Sequence, residues 1–366
     1  MSNFLGAYIH IPFCSNICSY CDFSKVYYNE TLSSNYLKSL EQEIKKNYQG
    51  EPLNSIYIGG GTPTSLNYQE LDYLLSLTKY FNLTKDYEFT IETNIDCLDE
   101  KKIQILKKYG VNRVSLGVQS FDHKCLQLLN RTHTQEQALD IIKKLQNNGL
   151  DNINIDLIYG IINDIKVVET DLQIFLSLNI PHVSCYSLII EPHTALYLNN
   201  YSNISEDIEY KQYNLIEKTL TSHGYKHYEI SNYAKENYFS KHNLNYWNNG
   251  SYYGFGLSST GYLHNYRLTN TRNLTKYLKG DYLEQKNYED KDLQMSNTMI
   301  LGLRKLEGVN LTTFQNTYQE DIFSVYDLDN LILDKLLIIT NNHLKINPQY
   351  LYLSNEILLN FLERKS

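Results

Sequence analysis

The sequence is poor in cysteine, in proline and in long apolar runs. It has six cysteines and six prolines in 366 residues. So few cysteines argue against a disulfide-stapled secreted domain, and no apolar stretch approaches the roughly 20 residues of a membrane-spanning helix. The first residues, Met-Ser-Asn-Phe-Leu-Gly, show neither the basic nor the apolar region of a signal peptide, so we expect a cytoplasmic protein.

The chain is also short of positive charge. It carries 33 Lys and Arg against 41 Asp and Glu, a formal net charge of −8. Non-specific nucleic-acid binding needs a cationic surface, so no nucleic-acid partner is predicted. Hydrophobic residues make up 42% of the chain, which is enough for one large α/β domain and one or two smaller parts.

Three of the cysteines lie close together near the start of the chain. Cys14, Cys18 and Cys21 are spaced C-x3-C-x2-C and follow a short apolar run, 7–11, that predicts a strand. Three thiolates on one loop can hold an iron–sulfur cube by three corners and leave the fourth iron open. A structural zinc site, which usually has four closed ligands, and inert cysteines are the alternatives. The other three are expected to be small buried hydrophobic residues: Cys97, Cys125 and Cys185.

The first half of the chain alternates short β-branched runs with amphipathic segments. Six such units in succession predict a parallel sheet with helices outside. We therefore expect an α/β fold with a partial (β/α)6 TIM-like barrel and its chemistry at the carboxyl ends of the strands. A closed barrel or an open doubly wound sheet would place the site at the same edge. The predicted strands are 7–11, 55–58, 88–92, 113–117, 152–158 and 182–188.

From about residue 200 the pattern changes. The last part of the chain predicts two helices, two short strands (343–346 and 350–353) and a final helix, an order typical of a winged-helix-like module. The acidic charge favours packing or a protein partner for this tail over DNA. We expect three domains: the partial barrel over 1–200, a barrel-covering mixed α+β extension over 201–285, and the winged-helix-like tail over 286–366.

A glycine turn follows the second predicted strand. Gly59, Gly60 and Gly61 precede Thr62 and Pro63, and three residues without a Cβ let backbone groups approach a ligand closely. The spacing is neither that of a P-loop nor that of a dinucleotide-binding fingerprint. Taken alone, the segment is equally consistent with a simple tight turn.

Together, the cysteine spacing and the glycine turn resemble the radical S-adenosylmethionine (SAM) enzymes. The run Tyr8-Ile-His-Ile-Pro-Phe-Cys14 and the Gly-Gly-Gly-Thr-Pro-Thr turn are most similar to one branch, which holds the oxygen-independent coproporphyrinogen III oxidases and the related haem chaperones of the HemW type. The similarity continues to about residue 310 through 92–94, 112–121, 131–133, 156–160, 191–192, 228–232, 242–247 and 301–304.

The resemblance implies two cofactors. The three clustered cysteines would hold a [4Fe-4S] cluster whose open iron is chelated by S-adenosylmethionine, and an electron from the cluster could cleave that molecule to a 5′-deoxyadenosyl radical. By the same resemblance, Arg131 could pair with the methionine carboxylate, and a carboxylate suits ribose hydroxyls. The residues so assigned to the S-adenosylmethionine pocket are Tyr8, Tyr20, Gly59, Gly60, Gly61, Thr62, Glu92, Gln119, Arg131 and Asp156.

Phe23 separates the two kinds of relative. The oxidases resembled here carry a fourth cysteine at this position and a longer region before the cysteines. The haem chaperones share the features of this chain and an H-N-x-x-Y-W motif, present here as His242, Tyr246 and Trp247. Imidazole is a common axial haem ligand, and aromatic rings pack against a porphyrin face, so the resemblance implies haem contacts at these three residues.

Three functional hypotheses follow, and none assigns a catalytic residue. The first is a haem chaperone that binds haem and transfers it to an acceptor protein, with little or no cleavage of S-adenosylmethionine. It implies an electron donor of the flavodoxin or ferredoxin type and is compatible with peripheral contact with a membrane-bound acceptor. The second is an oxygen-independent coproporphyrinogen III oxidase, an oxidoreductase. The third is a zinc-stabilised binding module.

Overall fold

The computed structural model describes residues 4–362, and its centre is one 12-stranded sheet. The strands, numbered in chain order, are β1 (Leu5–Ile11), β2 (Phe13–Cys14), β3 (Val26–Tyr27), β4 (Leu53–Gly60), β5 (Leu83–Asn94), β6 (Arg113–Gln119), β7 (Ile153–Tyr159), β8 (His182–Ser187), β9 (Lys226–Glu229), β10 (Asn232–Ala234), β11 (Ser251–Phe255), β12 (Thr260–Leu263), β13 (Tyr266–Asn270), β14 (Leu283–Tyr288), β15 (Val309–Asn310), β16 (Leu337–Thr340) and β17 (His343–Ile346).

The six predicted strands form the middle of this sheet. Their order is β1-β4-β5-β6-β7-β8, and each neighbouring pair is parallel. Strands buried on both faces are typical of such sheets, and all seven residues of β6 are buried. Across residues 4–362 the strand order is linear from β14 to β9 and does not close into a ring. The expected α/β partial barrel is therefore confirmed.

Helices between consecutive parallel strands cover the outside of the barrel, and fifteen α-helices in all are found in the described part of the chain. They are α1 (Glu30–Asn47), α2 (Tyr68–Ser76), α3 (Glu100–Lys108), α4 (His123–Leu128), α5 (Gln135–Asn147), α6 (Ile165–Ser177), α7 (Ala195–Leu198), α8 (Glu206–Ser222), α9 (Lys241–Trp247), α10 (Leu274–Leu278), α11 (Lys291–Gly302), α12 (Leu311–Tyr318), α13 (Ile322–Val325), α14 (Asp329–Leu333) and α15 (Ser354–Leu358). Local capping fixes their starts: α2 and α5 both begin with a capping box, in which a side-chain oxygen and an N3 Glu or Gln satisfy the first backbone N–H groups.

The sheet continues on the other side of β1 with strands between residues 251 and 288, where none was predicted. Strand β11 pairs parallel with β1, and β12, β13 and β14 extend the sheet in antiparallel order. The extension therefore adds strands beside the barrel. The boundaries predicted at 200 and 285 stay a prediction.

The tail has its own hydrophobic core and a three-stranded sheet in the order β15-β17-β16. The strand predicted at 350–353 is wrong, because Pro348–Leu353 is a 3-10 helix with a proline in its first turn and Asn347 as its cap. The partner of β17 is instead β16, which pairs with it antiparallel. The turn between them has positive φ at Asn341 (50°) and Asn342 (63°), the conformation that a tight hairpin requires.

No helix found between residues 4 and 362 combines the length and the apolar character that crossing a membrane requires.

Candidate functional site

A cavity of about 480 Å³ opens at the carboxyl ends of the parallel strands. The cysteine loop after β1, the glycine turn after β4 and the ends of β5 to β8 all contribute to its wall. Of the residues predicted for the cluster and the S-adenosylmethionine pocket, the lining includes Cys14, Cys18, Cys21, Tyr20, Gly60, Gly61, Thr62, Glu92, Gln119, Arg131 and Asp156. The structure therefore brings together residues that lie far apart in the sequence.

The cysteine loop is tied to the barrel by backbone contacts. Strand β2 pairs with β3, which closes the loop, and the Ser19 N–H donates to the Leu129 carbonyl at 3.1 Å. The Ser19 carbonyl in turn accepts from the Leu196 N–H at 2.9 Å, so the loop after β8 is fastened to it. Burial raises the pKa of the Cys14 thiol to about 12, so without a metal this ligand is protonated at neutral pH.

Arg131 lies between the cysteine loop and the ends of β5 and β6. Its Nη1 donates to Cys18 Sγ at 3.1 Å, and its Nη2 donates to Asn94 Oδ1 at 2.9 Å and to the Gly117 carbonyl. A Cβ on Gly117 would lie 2.8 Å from Nη2, so glycine leaves room for the guanidinium. A fixed cation thus faces a cysteine sulfur, and the predicted contact with a methionine carboxylate stays a prediction.

The glycine turn is shaped around Glu92 and the cysteine loop. Gly60 has φ of 110°, a conformation that side chains rarely adopt, and its N–H donates to Glu92 Oε2 at 3.0 Å. A Cβ on Gly59 would lie 2.6 Å from the same carboxylate. The Gly61 and Thr62 N–H groups donate to the carbonyls of Ile11 and Phe13 at 2.9 and 2.8 Å. All three N–H groups are thus used within the protein.

Glu92 and Asp156 place two carboxylates at the inner end of the cavity. Tyr57 donates its hydroxyl to Glu92 Oε1 at 2.7 Å, and Asn154 donates to Asp156 Oδ1 at 2.8 Å. Burial raises the pKa of Glu92 to about 6, an effect that the Tyr57 and Gly60 donors oppose. Burial also raises the pKa of Asp156. The pair can accept hydrogen bonds from a hydroxylated ligand.

Gln119 marks an irregularity where β6 ends. Its φ is 69°, in the left-handed region, and the register with β7 shifts between Gly117 and Gln119. Such bulges re-aim a side chain beside functional sites. The backbone conformation at Gln119 thus accounts for its place in the cavity wall.

Five of the predicted residues do not line the cavity. Gly59 lies behind Glu92, and the Tyr8 hydroxyl pairs with His10 Nδ1 at 3.0 Å. The remaining three, His242, Tyr246 and Trp247, belong to α9, which packs against β1 and β4. The structure thus places the H-N-x-x-Y-W motif apart from the cysteine loop.

His242 is fully buried, and both of its ring nitrogens have partners. Nδ1 pairs with Ser55 Oγ at 2.7 Å, and Nε2 pairs with the Tyr246 hydroxyl at 2.8 Å. Burial, aided by the Arg113 guanidinium, lowers its pKa to about 3, so the ring is neutral. Neither nitrogen is free to bind haem iron in this arrangement. Haem contact by His242, Tyr246 and Trp247 stays a prediction.

Sequence reasoning missed several residues of the cavity wall. Asn94, Ser115 and Tyr186 lie on or at the ends of predicted strands, so strand position alone was a usable signal for them. Ile189 directly follows the predicted strand 182–188 and carries the same signal, whereas no such signal marked Lys25. Cys97 is buried as expected, yet its Sγ lies 3.1 Å from Ser15 Oγ on the cysteine loop, which its isolated place in the sequence did not indicate.

Comparison with known proteins agrees with this architecture. A sequence model of the radical SAM superfamily matches residues 8–171, and a model of the HemN C-terminal domain matches residues 290–352. The structure of coproporphyrinogen III oxidase (HemN) from Escherichia coli, a radical SAM enzyme, matches with a TM-score of 0.86 and 22% sequence identity over 98% of this chain and 90% of that one. The fold and the cysteine loop together define a radical SAM protein.

Relatives with higher sequence identity identify the family within this class. The heme chaperone HemW of Lactococcus lactis subsp. lactis (strain IL1403) is 38% identical over 368 residues, which cover 98% of this chain and 97% of that protein. The heme chaperone HemW of Bacillus subtilis (strain 168) is 36% identical over 98% of this chain and 99% of its own length. The chain belongs to the HemW family of radical SAM proteins.

Proposed function

We propose that Cys14, Cys18 and Cys21 hold a [4Fe-4S] cluster whose fourth iron is open to S-adenosylmethionine. The donor set supports this proposal: three thiols on one loop face one cavity, and the Arg131 guanidinium offsets their negative charge when ionised. When bound, the cluster supplies an electron and S-adenosylmethionine supplies a cleavable sulfonium. A structural zinc ion held by these three thiols would lack its usual fourth protein ligand.

The cavity wall supports a pocket for S-adenosylmethionine with distinct tasks for its parts. Because the turn N–H groups of Gly60, Gly61 and Thr62 are used internally, the turn would meet an ammonium group through carbonyl oxygens. The carboxylates of Glu92 and Asp156 would accept ribose hydroxyls. We propose the remaining contacts for Tyr8, Tyr20, Gln119 and Arg131 as the resemblance assigns them.

We further propose that the protein is a cytoplasmic haem chaperone that passes haem to an acceptor protein. The carrying observation is the membership of the family whose relatives bear the name heme chaperone, at 38% identity over nearly the whole chain. Two large apolar side chains at the cavity mouth support it: Phe23 is 69% exposed and Ile189 is 66% exposed. Exposed apolar surface beside a cavity suits a flat macrocycle. A flavodoxin or ferredoxin would supply the electron, and a membrane-bound acceptor would need only peripheral contact.

Two assays on one anaerobically reconstituted preparation test this function. Haemin titration is expected to shift the Soret band as protein binds haem. Incubation with coproporphyrinogen III, reductant and S-adenosylmethionine is expected to leave the porphyrinogen unchanged. Formation of protoporphyrinogen would make the protein an oxidase, the second hypothesis, and an unshifted Soret band would contradict haem binding.

A further inference from the structure

Two motifs that carry the family resemblance, 228–232 and 242–247, lie outside the cavity wall. They meet inside the barrel toward the amino ends of the parallel strands, where Tyr228, His182 and His242 are buried. Ser55, near the start of β4, contacts His242 there. The contacts of the two histidines lead from this buried end toward the cavity along two paths.

The first path runs from His242 to Glu92. The ring nitrogens of His242 are held by Ser55 at 2.7 Å and by Tyr246 at 2.8 Å, which fixes the plane of the imidazole. The Tyr57 ring lies against that imidazole, with centroids 5.2 Å apart and planes inclined by 31°. At its far end, Tyr57 donates its hydroxyl to Glu92 Oε1 at 2.7 Å. The imidazole thus fixes the phenol, and the phenol fixes the carboxylate.

The second path runs from His182 to Asp156. His182 Nδ1 lies 2.6 Å from Asn154 Oδ1, an atom that can only accept, so Nδ1 carries the proton. His182 Nε2 then accepts from the Tyr228 hydroxyl at 2.7 Å, and that hydroxyl accepts the Ser240 N–H at 3.2 Å. The Asn154 amide, held in this way, donates to Asp156 Oδ1 at 2.8 Å.

One buried cation acts on both paths. Arg113 is 2% exposed, and its Nε finds no hydrogen-bond partner within the described part of the chain. Burial is the main cause that lowers the pKa values of His182 and His242, and the Arg113 charge adds to it, so both rings stay neutral. The same charge favours the ionised forms of Glu92 and Asp156. Because the two imidazole rings are neutral, they can orient Tyr57 and Asn154 without forming ion pairs of their own with Glu92 or Asp156.

We propose that His242 and His182 are positioning residues, which hold Glu92 through Tyr57 and Asp156 through Asn154 in the orientation that accepts the ribose of S-adenosylmethionine. The inference rests on the proposed S-adenosylmethionine site. It gives the H-N-x-x-Y-W histidine a task in that site, with no contact to haem iron. It also connects both motifs to the cavity, although neither lines it.

The test measures S-adenosylmethionine affinity by anaerobic calorimetry on the reconstituted full chain, from about pH 5 to about pH 8. The variants are His242→Gln, His182→Gln and Tyr57→Phe, the last of which removes one oxygen and little else. We expect each to weaken binding by about tenfold. In Tyr57→Phe and His242→Gln the midpoint of the pH dependence should also move upward, because the Tyr57 donor stabilises ionised Glu92. The other charged or titratable neighbours of Glu92 are Tyr8, Asp156, Tyr186, Tyr246 and Arg113, and they are unchanged in Tyr57→Phe.

A matched control comes from His227, which is 9% exposed and precedes Tyr228 on the edge strand β9. Its ring stacks on Tyr233 at 4.1 Å and its Nε2 lies 3.2 Å from the Ile230 carbonyl, and neither contact belongs to the two paths. His227→Gln should bind S-adenosylmethionine within about twofold of wild type. In haemin titrations of His242→Gln, the Soret shift should match wild type. Loss of that shift with unchanged S-adenosylmethionine binding would assign His242 to haem and overturn the inference.

Glu92→Gln separates the inference from the proposed site. If Glu92→Gln binds weakly while Tyr57→Phe and His242→Gln bind as wild type with unshifted midpoints, the positioning role is wrong and the site stands. If Glu92→Gln itself binds as wild type, the proposed role of Glu92 is wrong, and the inference for His242 fails with it.

Discussion

The two ends of the barrel treat their polar side chains in opposite ways. At the amino end, His242 and His182 have both ring nitrogens paired with protein groups and are fully buried. At the carboxyl end, the three clustered cysteines and the outer faces of Glu92 and Asp156 border a cavity. At the amino end, these side chains form their hydrogen bonds within the protein interior. At the carboxyl end, groups that face the cavity can still bind a ligand.

Residues that carry the same family resemblance therefore have two kinds of role: some position other side chains, and others are available to bind a ligand. A polar residue identified by the resemblance can belong to the positioning end or to the binding end of the barrel. Its hydrogen-bond partners show which of the two roles it has. Groups that are buried and paired only within the protein should matter for stability and geometry, whereas groups that keep spare acceptor capacity facing the cavity should matter for ligand binding. The following predictions test that division, starting from the largest effect.

Removal of one cluster ligand should have the largest effect. Cys14→Ser is expected to abolish cluster formation, because two remaining thiols on the loop cannot hold the cube. Iron and sulfide content after anaerobic reconstitution measures it. Cys125→Ser is the control, since Cys125 is buried in an apolar cluster and does not line the cavity. Equal iron content in both variants would show that the loop is not the cluster site.

A fully satisfied carboxylate should matter for stability alone. Glu43 is buried and accepts from the Gly256 N–H at 2.8 Å, from Tyr277 at 2.6 Å and from Asn270 at 2.5 Å. Glu43→Ala leaves three donors unpaired and should lower the free energy of unfolding by about 3 kcal/mol, measured by urea denaturation. Cluster content should not change. Glu41→Ala, at a more exposed carboxylate of the same helix, should cost about 1 kcal/mol.

A cavity carboxylate should show the reverse pattern. Glu92→Gln keeps the size of the side chain but removes a charged acceptor, so S-adenosylmethionine binding should weaken by about tenfold while urea stability at neutral pH is not reduced. Calorimetry and denaturation on the same preparation measure the two quantities. A stability loss like that of Glu43→Ala, with unchanged affinity, would place Glu92 among the purely structural groups.

The raised pKa of Glu92 also predicts a pH dependence of stability. The folded protein binds this proton up to about pH 6, whereas the free side chain releases it at its ordinary value of 4.5. Stability from this group is therefore lost as pH rises through the interval between the two values, by about 2 kcal/mol. Denaturation curves of wild type and Glu92→Gln should diverge over that interval, and parallel curves would refute the assignment.

The smallest effect is expected at the cavity mouth. Phe23→Ala should weaken haem binding by about threefold, because one exposed ring loses contact with the macrocycle while the rest of the mouth remains. Soret titration measures it. Tyr27 is similarly exposed, at 63%, but does not line the cavity, so Tyr27→Ala should bind haem as wild type does. Identical effects in both variants would remove the mouth as the haem surface.

Much of the barrel and its site was predictable because both follow from strand periodicity. Each parallel strand was a short apolar run, and parallel strands bring their carboxyl ends to one edge, so Glu92 and Asp156 could be expected near the cysteines. The same logic could not place β11 to β14, whose residues are rich in tyrosine and glycine without clear alternation. It also chose 350–353 as a strand, where Pro348 begins a 3-10 helix.

The role of His242 could not be read from the sequence for a different reason. A histidine beside Tyr and Trp suits haem, and nothing in the local pattern reveals that α9 packs its histidine against Ser55 and Tyr57 inside the barrel. Those contacts join residues far apart in the chain. Only the three-dimensional arrangement shows that both ring nitrogens are already used.

An open iron at the carboxyl end of the barrel should be visible by electron paramagnetic resonance. The reconstituted, reduced wild-type protein would be recorded with and without S-adenosylmethionine. We expect a [4Fe-4S] signal whose g-values change when S-adenosylmethionine binds the open iron. A signal that stays the same at saturating S-adenosylmethionine, or the absence of any [4Fe-4S] signal, would contradict it.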